Sequence, residues 1–306
     1  MTFNESWINQ GKLISREVWE KHVDQLHDDT LGFIKDKNKC IDLITHTFSG
    51  AMQRRIPSTY FGILLSGGVD SALMTLAAQR SGGKFTCYTV GFESINEAHD
   101  VAFSRKTAEA FGVQLKLRIL TLAEVETYAH RAARALKTVG LVDSVNVGIG
   151  AVVLVAADLA KKDNITLFFG GLGAEEIFAG YKRHIDSLHV HDECWRGLRA
   201  MWARDLVRDA SLGAAAGITV LTPFLDSFLI TAAMRVPGEW KVVDRERKVI
   251  LREAAERFGV PYAIAWRKKQ AAQYGSGFDK ALAKLAKKHG FKNKGDYLFY
   301  ITRGPL

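Results

Sequence analysis

Four short apolar runs alternate with longer helical stretches, and this alternation narrows the possible folds more than any other feature of the chain. The runs are Tyr60–Leu65, Phe85–Val90, Leu115–Leu120 and Ile165–Phe169. Between and after them, Ser71–Arg80, Glu97–Phe111, Leu122–Lys137 and Gly150–Lys161 repeat their apolar residues at helical spacing. Short apolar runs bounded in this way read as strands, and near-continuous ones are buried on both faces. Strands in turn with helices predict a parallel sheet covered on both sides, a doubly wound α/β fold. Thr121 and Glu124 have the capping-box spacing that starts the third helix.

Outside this block the chain reads as helical. Val18, Val23 and Leu26 suggest one amphipathic helix, and Ile41, Ile44, Phe48 and Met52 a second. After Tyr181, helices are predicted near Trp195–Leu206, Asp226–Met234, Lys248–Phe258 and Phe278–Lys288. We therefore divide the chain into a helical segment, residues 1–55, and an α/β domain with added C-terminal helices, residues 56–306.

Composition removes several classes. With 47% hydrophobic and 25% charged residues in 306, the chain has the balance of a soluble globular protein. No uninterrupted apolar run is long enough to cross a bilayer, and the start lacks the pattern of a signal peptide. Cys40, Cys87 and Cys194 are far apart and form no CxxC pair, which argues for a reducing compartment; the expected location is the cytoplasm. Between Trp266 and Leu306, ten Lys and Arg stand against Asp279 and Asp296, a net +8 that could attract nucleic acid, nucleotide phosphates or an acidic partner. A solvated helix face accounts for most of these lysines equally well.

In doubly wound sheets the ligand crevice lies beyond the carboxyl ends of the strands, where the winding reverses. The loops after the first and fourth runs are thus the places to look. Leu64-Leu65-Ser66-Gly67-Gly68-Val69-Asp70-Ser71 leads from strand to helix. Its glycines let backbone N–H groups approach a ligand, and the helix start adds a positive dipole end, so the loop can cradle an anion. Ser66 and Ser71 can donate hydroxyls to phosphate oxygens. Asp70 has the wrong charge for phosphate alone and suits a Mg²⁺ ion bridging those oxygens. The Gly-Lys-Ser/Thr ending of a Walker A loop is absent. The second loop, Gly170-Gly171-Leu172-Gly173-Ala174-Glu175-Glu176, is small until two acids open a helix, and a carboxylate there could share the metal with Asp70.

The Ser66–Ser71 string resembles the pyrophosphate-binding loop of the ATP-pyrophosphatase (PP-loop) superfamily. The second loop, ending in Gly180-Tyr181, resembles the glycine-rich motif of the asparagine synthetase C-terminal domain. Further matches follow in order: Arg204-Asp205-Leu206 with Asp209, Thr222-Pro223-Phe224-Leu225-Asp226, Lys248-Val249-Ile250-Leu251-Arg252-Glu253 and Trp266-Arg267-Lys268-Lys269. The resemblance, over roughly residues 56–290, implies a sheet of the adenine-nucleotide alpha hydrolase-like type. It also implies an ATP-dependent enzyme that adenylates a carboxylate, aspartate or a related acid, releases pyrophosphate and passes the acyl group to ammonia or another amine. By the same resemblance, Ser66, Gly67, Gly68, Asp70 and Ser71 would hold pyrophosphate and metal. Leu64, Val90 and Gly91 would flank the adenosine, and Gly173 would touch the nucleotide. Glu175 would be the second metal-binding acid, and Lys269 the catalytic cation near the α-phosphate.

Two departures matter. Thr2 stands where the family's glutaminase has its nucleophilic cysteine, and the residues before the first loop are too few for that domain. Ammonia is then expected from solution or from a separate amidotransferase subunit. Leu172 replaces an acid that the family uses in the second half-reaction, and a leucine cannot accept a proton. The segment Asp143–Gly150 is also poorer in polar side chains than its counterpart, which argues against aspartate as the acid.

Two other readings compete. One is a tRNA-modifying enzyme that adenylates a nucleobase oxygen and holds RNA on the basic tail; the later motifs argue against it. The other is a non-catalytic nucleotide-binding subunit, against which stand Asp70, Glu175 and Lys269. His189, His191 and Cys194 are too sparse for a metal site and are expected to be structural or surface residues.

Overall fold

The computed structural model describes residues 7–9, 12–27, 32–93, 98–268 and 272–303. Five parallel strands form the central sheet: β1 (Phe61–Leu64), β2 (Phe85–Phe92), β3 (Leu115–Leu120), β4 (Leu167–Phe169) and β5 (Thr219–Leu221). Their spatial order is β3-β2-β1-β4-β5. The chain steps outward from β1 to β3, then returns to lay β4 on the other side of β1. The winding therefore reverses between β1 and β4, where both loops singled out in the sequence emerge. β5 lies outside the predicted set; three residues on a sheet edge are too few to show a period.

The order of helices follows the alternation. α1 (Arg16–Leu26) and α2 (Lys37–Gln53) precede the sheet, and α3 (Val69–Arg80), α4 (His99–Phe111), α5 (Leu122–Lys137) and α6 (Ser144–Lys161) cross over between strands. Thr121 and Glu124 make the predicted capping box at the start of α5. α6 begins at Ser144 instead of Gly150 because Asp143 caps it, accepting from the N–H groups of Val145 and Asn146. In α2 the predicted face is buried as expected: Ile41, Ile44, Phe48 and Met52. In α1 the core face is Trp19 and Val23, and Val18 is 53% exposed. The helix expected near Trp195–Leu206 runs over Val190–Met201 and then widens into a π turn, Trp202–Leu206.

Two apolar layers cover the sheet. On one face Phe61, Ile63 and Phe169 pack with Trp19, Phe48, Phe224 and Ile250, so α1 and α2 share a core with the α/β unit. On the other, Tyr88, Val90 and Phe168 pack with Val147 and Leu154 of α6 and with Leu282 and Tyr297 near the C-terminus. Gly62 is matched to Phe168 in the register; a Cβ there would meet the Phe168 ring. α6 is long and apolar enough to cross a membrane by composition, and here it fills the layer between α5 and the sheet.

Part of the C-terminal positive charge is spent inside the protein. Arg267 is buried on Asp100, Lys288 pairs with Glu126, and Lys294 pairs with Asp279.

Candidate functional site

β1 ends at Leu64, and the chain turns through Leu65–Gly68 before α3 begins at Val69. Gly67 has φ +67, and a Cβ on it would lie 2.6 Å from the Phe103 carbonyl carbon, so both backbone conformation and space require glycine. Gly68 is the N-cap of α3 and offers no side chain to the first turn, which leaves that turn's N–H groups for a ligand. The Ser71 hydroxyl donates to the Gly68 carbonyl at 3.0 Å and lies 3.3 Å from the Ser66 hydroxyl. The loop is therefore braced from within.

Asp70 is 3% exposed. Its carboxylate oxygens lie 2.9 Å and 2.8 Å from Lys248 Nζ, which is also 2.8 Å from Glu175 Oε1. Lys248 is buried and adopts φ +57, an unusual backbone state for a residue with a side chain. Gly180 makes room for the pair: a Cβ there would overlap Glu175 Oε2 and Lys248 Cε. The two acids expected to converge do so, and between them sits a cation that the sequence reading missed. Lys248 opens the Lys248–Glu253 motif, and its position before an apolar helix was the available signal.

A second missed group is Arg267. One guanidinium nitrogen donates to the Ser66 carbonyl at 2.5 Å and another lies 2.6 Å from Asp100 Oδ1, with the guanidinium 4.3 Å above the Phe103 ring. Arg252 donates to the Ala265 and Arg267 carbonyls at 2.5 Å and 3.0 Å, fixing the backbone that presents Arg267. The motif Trp266–Lys269 is thus fastened to the back of the first loop through residue 267. Lys268 is exposed and lies 3.8 Å from Glu246. Lys269 lies outside the described residues.

Glu175 and Glu176 have different surroundings. Glu176 is 1% exposed; it accepts from the Tyr181 hydroxyl at 2.8 Å and from Arg204 at 2.7 Å. Burial, and then the nearby Asp205, raise its carboxyl to about 7, against the pull of Tyr181 and Arg204. Arg204 also holds Asp205 at 2.6 Å, and Arg208 joins Asp205 at 3.1 Å to Asp209 at 2.6 Å. The Arg204-Asp205-Leu206 motif thus supplies a buried, internally paired charge network along one wall. Asp226 of the Thr222–Asp226 motif has a structural part: it caps the helix Ser227–Met234 and receives Arg54 and Arg55, each at 2.7 Å. His189 is exposed, His191 accepts from the Trp195 indole at 3.1 Å, and Cys194 is buried.

These groups surround a cleft of about 910 Å³. Leu64, Ser66, Asp70, Ser71, Val90 and Glu175 line it, together with Lys248, Arg247 and Arg252. Gly91 and Gly173 stand behind the lining: Gly91 lies against Val101 and Ile119, and Gly173, with φ +99, against Leu225. Two carboxylates from separate loops meet here on Lys248, and among the described residues no group of three or more metal-ligating side chains forms, so a divalent cation would need oxygen atoms of a ligand beside these two acids.

A braced, glycine-capped loop at the reversal of a parallel sheet, faced by paired acids and lysine, defines an α/β protein with a polar crevice at its switch point. The chain belongs to the asparagine synthase family, whose model matches residues 43–195 and 186–296. It is similar, at 30% identity over 271 residues, to a protein of Methanocaldococcus jannaschii named as a glutamine-hydrolyzing asparagine synthetase, covering 76% of this chain and 49% of that one. Asparagine synthetase 3 of Arabidopsis thaliana is 26% identical, covering 77% of this chain and 43% of that one. The chain thus spans about half the length of these relatives. Among solved structures, NMN synthetase from Francisella tularensis aligns with a TM-score of 0.43 and 12% identity, covering 89% of this chain and 98% of that one.

Proposed function

We propose that the chain is an ATP-dependent, AMP-forming amide synthetase that adenylates a carboxylate and transfers the acyl group to ammonia or another amine. The observation that carries this reading is the meeting of Asp70, Lys248 and Glu175 beside the Ser66–Ser71 loop at the sheet's switch point. In the first step a carboxylate oxygen attacks the α-phosphorus of ATP and pyrophosphate leaves. In the second the amine attacks the acyl carbon, loses a proton and displaces AMP. Negative charge grows on the leaving and non-bridging oxygens in the first step, so fixed cations and oriented N–H groups are the catalytic need.

The N–H groups at the start of α3 and the Ser66 and Ser71 hydroxyls would hold the pyrophosphate end. Asp70 and Glu175 would hold Mg²⁺, which supplies charge neutralisation on phosphate oxygens. Lys248, which stands between the two acids, would add a further cation beside the phosphates. Leu64 and Val90 would border the adenosine, and Lys269 would meet the α-phosphate. Ammonia can arrive from solution or from a separate amidotransferase subunit.

The test is ATP–pyrophosphate exchange, scanned over carboxylic acids with Mg²⁺ present. Acid-dependent exchange that disappears in Asp70→Asn supports the reading. ATP cleavage to ADP, or no exchange with any acid, refutes it.

A further inference from the structure

The wall of the cleft opposite the first loop has a chemistry of its own. Val145 and Ile149 come from successive turns of the same face of α6, and Leu141 precedes that helix. Leu172, Leu212 and Val220 complete the lining on this side. Gly150 lies against Leu212, 2.8 Å from where its Cβ would be, so the start of α6 runs beside the helix that carries Arg208 and Asp209. The polar side chain that α6 contributes to the lining is Asn146, whose amide donates to Asp143 at 2.6 Å.

The arginines bordering this wall are each paired with acids, although one terminal nitrogen of Arg183 is buried against Gly197 with no hydrogen-bond partner among the described residues. Arg204 is held by Glu176 and Asp205, and Arg208 by Asp205 and Asp209. Arg183 pairs with Glu193 at 2.7 Å and lies 4.1 Å above the Tyr181 ring. Asp143, Asp205 and Asp209 line the cleft here with Arg183, Arg204 and Arg208, three acids against three arginines. A carboxylate set against the apolar face would lose water and find the bordering arginines already paired with acids. An apolar group set there would lose only water.

Resting on the synthetase reading, we infer that the acid this enzyme activates is a monocarboxylate with an apolar body, which lies along the Val145–Ile149 face of α6. Its one carboxylate points to the Lys248 end of the cleft, where Arg247 and Arg252 also stand. A dicarboxylic amino acid such as aspartate fits the same site poorly because its second carboxylate has no counter-charge. Ile149 is the specificity-determining residue, central on that face.

Three non-hydrolysable acyl-adenylate mimics test this by calorimetry on the whole chain: hexanoyl-, phenylacetyl- and aspartyl-sulfamoyl adenosine. Either apolar mimic should bind at least about tenfold tighter than the aspartyl one, the scale set by one or two hydrophobic contacts. Ile149→Lys, which sets a cation on the face, should reverse or erase that preference; thermal melting of the variant checks that it folds. Equal or tighter binding of the aspartyl mimic overturns the inference and leaves the synthetase reading standing. Failure of all three mimics to bind overturns both. An unchanged preference in folded Ile149→Lys removes the assignment to α6, and with it the inference.

Discussion

Lys248 and Asp70 are 178 residues apart in sequence, yet the ammonium of one lies 2.8 Å and 2.9 Å from the two carboxylate oxygens of the other. Both are buried, so the pair is held in a medium where a lone charge is costly. Lys248→Met should leave Asp70 and Glu175 facing each other without a cation. Stability without metal should fall by about 3–5 kcal/mol, the range for breaking a buried pair. Because a divalent ion would relieve the repulsion, Mg²⁺ should raise the variant's melting temperature more than the wild type's. Equal responses to Mg²⁺ would show that the ion binds elsewhere.

Asp70→Asn removes charge and keeps shape. Pyrophosphate exchange should drop by about 10²-fold or more, as when one strong electrostatic stabiliser is lost. Circular dichroism should remain that of the wild type. Near-normal exchange would take Asp70 off the list of catalytic groups.

Gly180→Ala is a test by crowding. Gly180 has no positive φ, so alanine strains no backbone, and the added methyl meets Glu175 and Lys248 first. Exchange should fall at least as far as it does in Glu175→Ala, and the melting temperature should fall too, because the methyl displaces the buried Lys248 pair. A fully active Gly180→Ala enzyme would show that the Glu175–Lys248 contact is dispensable.

Glu176 predicts a pH dependence of stability. Burial lifts its folded-state value to about 7 from an ordinary 4.5, so the native state holds the proton more tightly than the unfolded chain. Its stabilising contribution is therefore complete below 4.5 and is lost as pH rises through about 7. His184 acts in the opposite sense: burial lowers it to about 3 from 6.5, so its stabilising effect disappears as pH falls below 6.5. The wild-type profile between these limits mixes both slopes. The difference between wild type and Glu176→Gln isolates the first, and it should shrink steadily from pH 5 to pH 7. A difference independent of pH would refute the raised value.

Lys269 is separated from generic charge by a kinetic comparison. If it meets charge that peaks in the transition state, Lys269→Ala should depress the adenylation rate far more than ATP affinity. Lys288→Ala, which breaks only an exposed pair with Glu126, and Lys284→Ala should change the rate little. Similar, modest binding losses in all three variants, with their salt dependence reduced together, would mark the tail as a diffuse phosphate attractor.

The residues differ in how far the sequence disclosed them. Ser66–Ser71 was legible because strand, glycine turn and helix start are adjacent, and local rules act over such distances. Glu175 could be matched to Asp70 because a doubly wound sheet brings the loops after β1 and β4 side by side. Lys248 carries only a weak local signal, its place before an apolar helix, since its partners arrive from two distant loops. Arg267 likewise reads as one more cation in a basic tail until Asp100 and the Ser66 carbonyl are seen around it. β5 escaped because a three-residue edge strand carries no periodic signal, and α6 started early because a single Asp143 cap extended it. Long-range pairing and single-residue capping are what pattern reading loses.

The Arg267–Ser66 contact also orders events in time. The carbonyl that shapes the nucleotide loop is held by a side chain made 201 residues later. A chain emerging from the ribosome can lay down β1 to β4 with all of the loop's own residues present. It cannot brace that loop until the segment around residue 267 has cleared the exit tunnel. If the loop binds ATP, that affinity should therefore appear only once this segment is made: nascent chains stopped before Arg267 should hold ATP analogues less well than chains that include it.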